Sequence, residues 1–131
     1  MKKIVLSIFA IAVIFLHCTT TDEEPLLCHL YGWVIEEEDS TTGVNNLLLK
    51  IWHINPDDLS QLVLLDTVRT RTEDSQGGFF EMDSVCYGTT KQQGHFVTII
   101  VDSTQNPGWH TQFWYPDIYG EVDTITLYIT E

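Results

Sequence analysis

The chain has 131 residues and a net charge of −13, with nineteen acidic and six basic side chains. Nucleic-acid affinity depends on Lys and Arg contacts to phosphates, so this charge excludes nucleic acid as a partner. It also disfavours attachment to anionic lipid headgroups through side chains. The length is enough for one domain with a single modest core.

The N-terminus predicts export. Lys2 and Lys3 precede thirteen residues, 4–16, of which only Ser7 is polar. A positively charged start followed by a short apolar run is typical of a signal peptide. A transmembrane helix needs about 20 apolar residues, so this run is too short for a permanent span. We therefore predict a signal-peptide helix over residues 1–17.

Cys18 directly follows the apolar run, and the sequence Phe15-Leu16-His17-Cys18 resembles a lipoprotein box. The resemblance implies that Cys18 is acylated and becomes the first residue of the mature chain. The box usually has a small residue where this chain has His17, and a secreted protein without lipid or an uncleaved anchor is the alternative. Removal of residues 1–17 takes away two basic residues and no acidic ones, so the remaining chain carries −15.

Residues 18–27 form an acidic tether, in which 19–24 read TTTDEE. This segment has no apolar pattern that could be buried. An acidic patch behind a lipidated cysteine resembles the surface-export signal of lipoproteins in the Bacteroidetes group. The resemblance implies an outer-membrane lipoprotein, exposed at the cell surface. A plain solvated linker is the alternative.

Residues 28–131 are predicted to form one all-β domain. Short-period alternation predicts seven strands, over 29–35, 46–54, 62–70, 79–82, 95–101, 110–115 and 122–130. Turns rich in Gly, Pro, Asn and Asp separate them, and one helical turn is predicted over 56–62, with Asn55 as its cap. Seven strands at this spacing predict an antiparallel, Ig-like β-sandwich.

The last predicted strand has the clearest alternation. Ile125, Leu127 and Ile129 share one face, which we assign to the core. Thr124, Thr126, Tyr128 and Thr130 share the other face, which we assign to solvent.

Residues 72–88 read TEDSQGGFFEMDSVCYG, an acidic turn with Gly77 and Gly78, followed at fixed intervals by Phe80, Met82, Val85 and Gly88. This stretch resembles the central signature of carboxypeptidase regulatory-like domains, although a double glycine stands in place of one. The segments 30–34, 42–47 and 96–101 resemble neighbouring strands and turns of that family. The resemblance implies a transthyretin-like (prealbumin-like) β-sandwich, which is typically a non-catalytic module for scaffolding or binding.

Two cysteines remain in the domain. Cys28 and Cys86 could form a disulfide, which an exported protein can retain. The bond would close a loop of about 59 residues. Two buried thiols that act as small hydrophobic residues are the alternative.

The sequence predicts no metal site, no cofactor and no catalytic site. His29, His53, His95 and His110 are scattered, without a short metal-ligand spacing. The acidic segment 36–39 and the turn 73–75 could supply oxygen ligands for calcium, but they lack the spacing of a calcium loop, and solvated loops are the alternative.

The aromatic stretch 109–119 is the strongest candidate for a binding site. As a strand it would direct Trp109, Thr111, Phe113 and Tyr115 to one face, assigned to the core, and His110, Gln112 and Trp114 to the other. An exposed Trp114, helped by Tyr119, His110 and Gln112, could bind a glycan or a protein. The alternative is that these rings complete the core, to which Trp33 and Trp52 are also assigned.

Two functional hypotheses follow. The first is a non-enzymatic, lipid-anchored module of the cell envelope with a structural or protein-binding role. The second is a glycan-binding accessory lipoprotein that uses the aromatic residues around Trp114 and Tyr119. The expected partners are the membrane, through the lipid, and an unknown envelope protein or glycan.

Overall fold

The computed structural model describes residues 22–131. All the secondary-structure elements in this range are β-strands. The eight strands are β1 (Pro25–Glu36), β2 (Leu48–Asn55), β3 (Asp58–Arg69), β4 (Arg71–Glu73), β5 (Gln76–Thr89), β6 (Thr98–Val101), β7 (Gln112–Trp114) and β8 (Val122–Ile129). The signal peptide predicted over 1–17 and the proposed lipid site Cys18 lie outside the described residues. Nowhere in 22–131 is there a helix long and apolar enough to cross a membrane.

The strands form two four-stranded sheets. Sheet A has the order β4-β5-β1-β8, and sheet B has the order β3-β2-β6-β7. The all-β prediction is confirmed, but the structure has eight strands where seven were predicted. The additional strand is β4, which pairs with β5 around a turn at Asp74 and Ser75, where φ is 47° and 69°. Its three polar residues have no apolar alternation to predict a strand.

The predicted antiparallel arrangement is wrong for one pair of strands. β8 runs parallel to β1, with Trp33 beside Thr126 and Ile35 beside Tyr128. The preceding strand, β7, belongs to the other sheet, so the chain crosses between the sheets before it reaches β1. A connection of this kind allows a parallel pair, whereas a short hairpin does not.

The helical turn predicted over 56–62 is also wrong. Asn55 is paired with Asp58, so Pro56 and Asp57 form the turn of the β2–β3 hairpin. The Asp57 amide donates to Asn55 Oδ1 over 3.0 Å, a contact that starts a turn as readily as it caps a helix. The chain then reverses and continues as β3.

The inner faces of the two sheets share one hydrophobic core, as expected for a β-sandwich. Its largest fully buried side chains include Leu30, Val34 and Phe80 from sheet A and Leu49, Ile51 and Ile99 from sheet B. The alternation predicted for the last strand is confirmed. Leu127 and Ile129 are buried and Ile125 packs against the core, while Tyr128 is exposed.

Glycines allow three close contacts in sheet A and its loops. Gly32 pairs with Phe80, and a Cβ at Gly32 would lie 2.3 Å from Phe80 Cζ, so the glycine makes room for the ring. Gly78 has a φ of 83°, and a Cβ there would lie 2.2 Å from the Val34 carbonyl oxygen. Gly77 packs against Gly43. Both members of the double glycine are therefore required for packing.

The domain begins before the predicted boundary at Cys28. β1 starts at Pro25, and the Thr90 amide donates to the Glu24 carbonyl over 2.9 Å. The Thr89 hydroxyl also donates to the Glu23 carboxylate. The last residues of the tether are thus hydrogen-bonded to the end of β5.

A buried histidine connects the two sheets. His53 lies on β2 in sheet B, is 4% exposed, and its Nδ1 accepts a hydrogen bond of 2.9 Å from the Cys86 amide on β5 in sheet A. Since Nδ1 accepts this hydrogen bond, it carries no proton. The imidazole is therefore neutral, with its proton on Nε2. Burial lowers the pKa of His53 because it disfavours the charged ring.

This burial predicts a loss of stability in mild acid. The folded pKa of His53 is lowered, so below about pH 6.5 the unfolded chain binds more protons than the folded one. The free energy of unfolding should therefore fall as pH falls below this value, by at most about 1.4 kcal/mol per pH unit from this residue. Denaturant titrations at a series of pH values measure it.

His53→Gln keeps an acceptor for the Cys86 amide but cannot titrate, so its stability should depend less on pH in this range. His110→Gln, at an exposed position, is the matched control and should behave like the unaltered chain. An identical pH dependence in His53→Gln and the unaltered chain would show that His53 does not carry the effect.

Candidate functional site

The outer face of sheet B exposes apolar side chains across the sheet. Leu62 and Leu64 lie on β3, and Leu64 is paired with Trp52 on β2. On the same face, towards the opposite edge of the sheet, Ile100 on β6 is paired with Phe113 on β7. We call this surface the apolar face, and its exposed members are Trp52, Leu62, Leu64, Phe113 and Tyr115.

The side chains of the apolar face are unusually exposed for apolar residues. Leu62 and Phe113 are each 55% exposed, and Tyr115 is 59% exposed. Single exposed apolar residues are ordinary, but a contiguous apolar surface usually marks an interaction site. The apolar face also contains Trp and Tyr, which are common energetic centres of protein interfaces.

The charges around the apolar face are mostly acidic, although Lys50 and the exposed Arg69 also lie on the outer side of sheet B. Asp57 and Asp58 lie in the β2–β3 turn and at the start of β3, Asp66 lies on β3, and Asp117 follows β7; all four are exposed. Lys50, a basic residue on β2, is paired with Asp102 over 3.2 Å. The surface therefore combines exposed apolar side chains with surrounding charges that are negative on balance.

The leucines of β3 are exposed because the outer face of sheet B is not covered by another layer. The segment 62–65 reads LVLL, a continuous apolar run that is typical of a strand buried on both faces. Sheet B is covered on its inner face only, so β3 buries Leu65 and Val68 against the core and leaves Leu62 and Leu64 exposed on the outer face. The apolar run was the sequence signal for the site, but it did not show that one face of the strand is exposed.

The predicted faces of the 109–119 stretch are wrong for its central residues. β7 spans only Gln112–Trp114, and Trp114 is paired with Ile99, whose side chain is in the core. Trp114 is half-buried and packs against the core, while Phe113 and Tyr115 point outward. Since side chains alternate along a strand, an error of one residue exchanges the two faces.

The other residues predicted to bind a ligand do not form a platform with Trp114. The Gln112 side-chain amide donates to the Thr130 carbonyl over 3.0 Å. His110 is exposed and precedes β7. Tyr119 is 57% exposed in the β7–β8 connection, where its amide donates to Asp123 Oδ2 over 2.9 Å.

Trp33 and Trp52 are not in the core, contrary to the sequence-based expectation. Trp52 belongs to the apolar face of sheet B. Trp33 lies on the outer face of sheet A, where it packs edge-on against Phe79 with ring centroids 5.4 Å apart. The Arg71 guanidinium lies 4.9 Å from the centre of the Phe79 ring, so Phe79 is buried outside the main core.

His29 lies between two carboxylates on sheet A. Its Nε2 is 3.3 Å from Glu81 Oε1, and its Nδ1 is 3.2 Å from Asp83 Oδ1. Glu81 also pairs with Arg71 over 3.2 Å. This part of the outer face is therefore charged.

Cys28 and Cys86 do not form the disulfide considered above. Both thiols are buried and free. The two residues lie on neighbouring strands but are not directly opposite, because Cys28 is paired with Val85 and Cys86 with Leu27. Burial raises the pKa of both thiols, and the charge of Asp123 adds to the effect at Cys28, so neither favours the reactive thiolate.

The two acidic segments considered for calcium have other contacts. Asp39 accepts hydrogen bonds of 2.7 Å from the hydroxyls of Thr41 and Thr42, which lower the pKa of its carboxyl. Glu73 Oε2 lies 3.4 Å from Arg71 Nε. In the part of the chain that the structure describes, no three His, Cys, Asp or Glu side chains are grouped to hold a metal ion.

Comparisons of the chain with protein families, with curated proteins and with solved structures find no match.

Proposed function

We propose that this protein is a non-catalytic, lipid-anchored module of the cell envelope that binds another protein through the apolar face of sheet B. The observation that carries the proposal is the exposure of Trp52, Leu62, Leu64, Phe113 and Tyr115 on one face of sheet B. Burial of such a surface contributes about 25 cal/mol for each Å² removed from water.

The charge of the chain favours a particular kind of partner. Residues 18–131 carry −15, and the charges around the apolar face are negative on balance. Two copies placed face to face would bring like charges together, which disfavours self-association. We therefore infer a different protein, with an apolar surface surrounded by Lys and Arg.

We also propose a finer assignment of the fold. A transthyretin-like sandwich of the carboxypeptidase regulatory-like type is supported by the packing of its signature residues. Phe80 and Val85 are fully buried, Met82 belongs to the same core, and Gly78 has the positive φ that its turn requires. In that family the domain is typically a binding or scaffolding module.

Attachment to the membrane would occur through Cys18. β1 begins at Pro25, seven residues later, and an extended chain of that length spans at most about 25 Å. Acylation at Cys18 would thus keep the domain close to the outer membrane, and the acidic residues after Cys18 support display at the cell surface. The acyl chains would supply attachment that an acidic surface does not.

The anchor can be tested by metabolic labelling with an alkyne fatty acid. The unaltered chain should incorporate the label, and Cys18→Ala should not. Cys28→Ala is a matched control, because the buried Cys28 is not a proposed acylation site, and it should label normally. Absence of label in the unaltered chain, or equal label in Cys18→Ala, would contradict acylation at this residue.

The docking surface can be tested by photo-crosslinking in intact cells. p-Benzoylphenylalanine in place of Leu64 should give one adduct with another protein, identified by mass spectrometry, because Leu64 lies in the apolar face. The same amino acid in place of the exposed Thr124, on the outer face of sheet A, should not give this adduct.

A second change connects the adduct to the apolar face. Trp52→Asp should reduce the yield of the Leu64 adduct several-fold, because a charge replaces an apolar contact at the centre of the face. Increased salt should weaken the complex if the partner's rim is basic. An adduct between two copies of this chain, or equal adducts from the two positions, would contradict the proposal.

A further inference from the structure

A cavity of about 260 Å³ opens on the outer face of sheet A. Its walls come from several parts of the chain: β1, the β1–β2 connection, the start of β5, and β8. The lining residues are Trp33, Ile35, Ser40, Gln76, Thr126 and Tyr128. Strands β1 and β8 are adjacent and parallel here, which places the rings of Trp33 and Tyr128 on the same outer face.

The lining is uncharged although the protein is strongly acidic. None of the six residues carries a charge, so a charged ligand would have no ion-pair partner in the cavity wall. The walls instead combine two aromatic rings and one aliphatic side chain with two hydroxyls and one amide. An uncharged ligand with both apolar and hydroxyl surfaces matches this combination.

The polar groups of the cavity have unused hydrogen-bonding capacity. Within residues 22–131, the side chains of Ser40, Gln76 and Thr126 form no hydrogen bond that meets ordinary distance and angle criteria. Hydroxyls and the Gln amide can each donate and accept, as the hydroxyls of a sugar do.

Trp33 supplies an additional unused donor. Its indole Nε1 is buried and has no acceptor among the described residues. Buried donors are rarely left unpaired, and a ligand in the cavity would reach this one only after a local movement of the Trp33 ring.

We propose that this cavity binds a neutral sugar residue, with the Tyr128 and Trp33 rings against the apolar face of the sugar and Ser40, Gln76 and Thr126 bonded to its hydroxyls. Tyr128 is 50% exposed, so its ring is accessible for stacking. The cavity is slightly smaller than the roughly 300–1,000 Å³ of drug-sized ligand pockets, which fits one sugar residue of a longer glycan.

This site is separate from the proposed protein-docking surface. The cavity lies on the outer face of sheet A, and the apolar face lies on the outer face of sheet B, across the core. It is also distinct from Trp114 and Tyr119, which do not line it. Sugar binding goes beyond the protein-binding role, and either can fail in an experiment without the other.

The test uses ¹H–¹⁵N spectra of the exported chain with Cys18→Ser, titrated with the methyl glycosides of glucose, galactose, mannose and N-acetylglucosamine. We expect saturable movement of the Trp33 indole cross-peak, assigned with Trp33→Phe, by at least one glycoside at millimolar concentration. The indole cross-peaks of Trp52 and Trp114 should not move, because these residues do not line the cavity.

Two variants measure the contribution of the walls. Tyr128→Ala should weaken the binding roughly tenfold, since it removes the exposed stacking ring. Gln76→Ala should weaken it several-fold. Tyr119→Ala is the matched control, because Tyr119 is 57% exposed and outside the cavity, and it should bind like the unaltered chain. Unchanged dispersion of the amide spectrum shows that each variant is folded.

Three results of the glycoside titrations would overturn the proposal. They are the absence of saturable movement with every glycoside, equal affinity in Tyr128→Ala and the unaltered chain, and equal movement of all the indole cross-peaks. Adenosine is the uncharged aromatic competitor. If it moves the Trp33 cross-peak at lower concentration than any glycoside, the cavity is a nucleoside site and the sugar assignment is wrong.

Discussion

Burial of one face of each sheet against the other is the constraint on which the rest of this structure depends. The inner positions are filled mainly by aliphatic side chains and by Phe80, which fits because Gly32 has no side chain. The chain has more aromatic residues than this core contains. Trp33, Trp52 and Tyr128 are consequently on the outer faces, where they supply the surfaces to which we assign function.

The sequence predicted the features that depend on strong local contrast. The alternation of Ile125, Leu127 and Ile129 with polar residues identified the inner face of β8, and the turn residues separated the strands. Where both faces are apolar or aromatic the contrast is lost. The assignment of Trp114 to the wrong face and of Trp52 to the core both came from such segments. The parallel pairing of β8 with β1 depends on long-range topology, which local alternation does not encode.

The two outer faces differ in chemistry, and this difference supports different partners. The outer face of sheet B has exposed apolar residues and surrounding charges that are negative on balance, which suits a protein with a complementary basic rim. The outer face of sheet A has both ion pairs around His29 and an uncharged aromatic cavity. An anchor at Cys18 would hold both faces near the membrane, because Glu24 and Pro25 are already part of the folded domain.

The central claim is that the apolar face of sheet B is covered by another protein in the cell. Hydroxyl-radical footprinting of intact cells and of the purified chain tests it directly, with Tyr119 as an exposed reference outside the face. Our account predicts that Trp52, Leu64 and Tyr115 are oxidised in the purified chain and protected in cells, while Tyr119 is oxidised equally in both. Equal oxidation of the apolar face in cells and in the purified chain would contradict it.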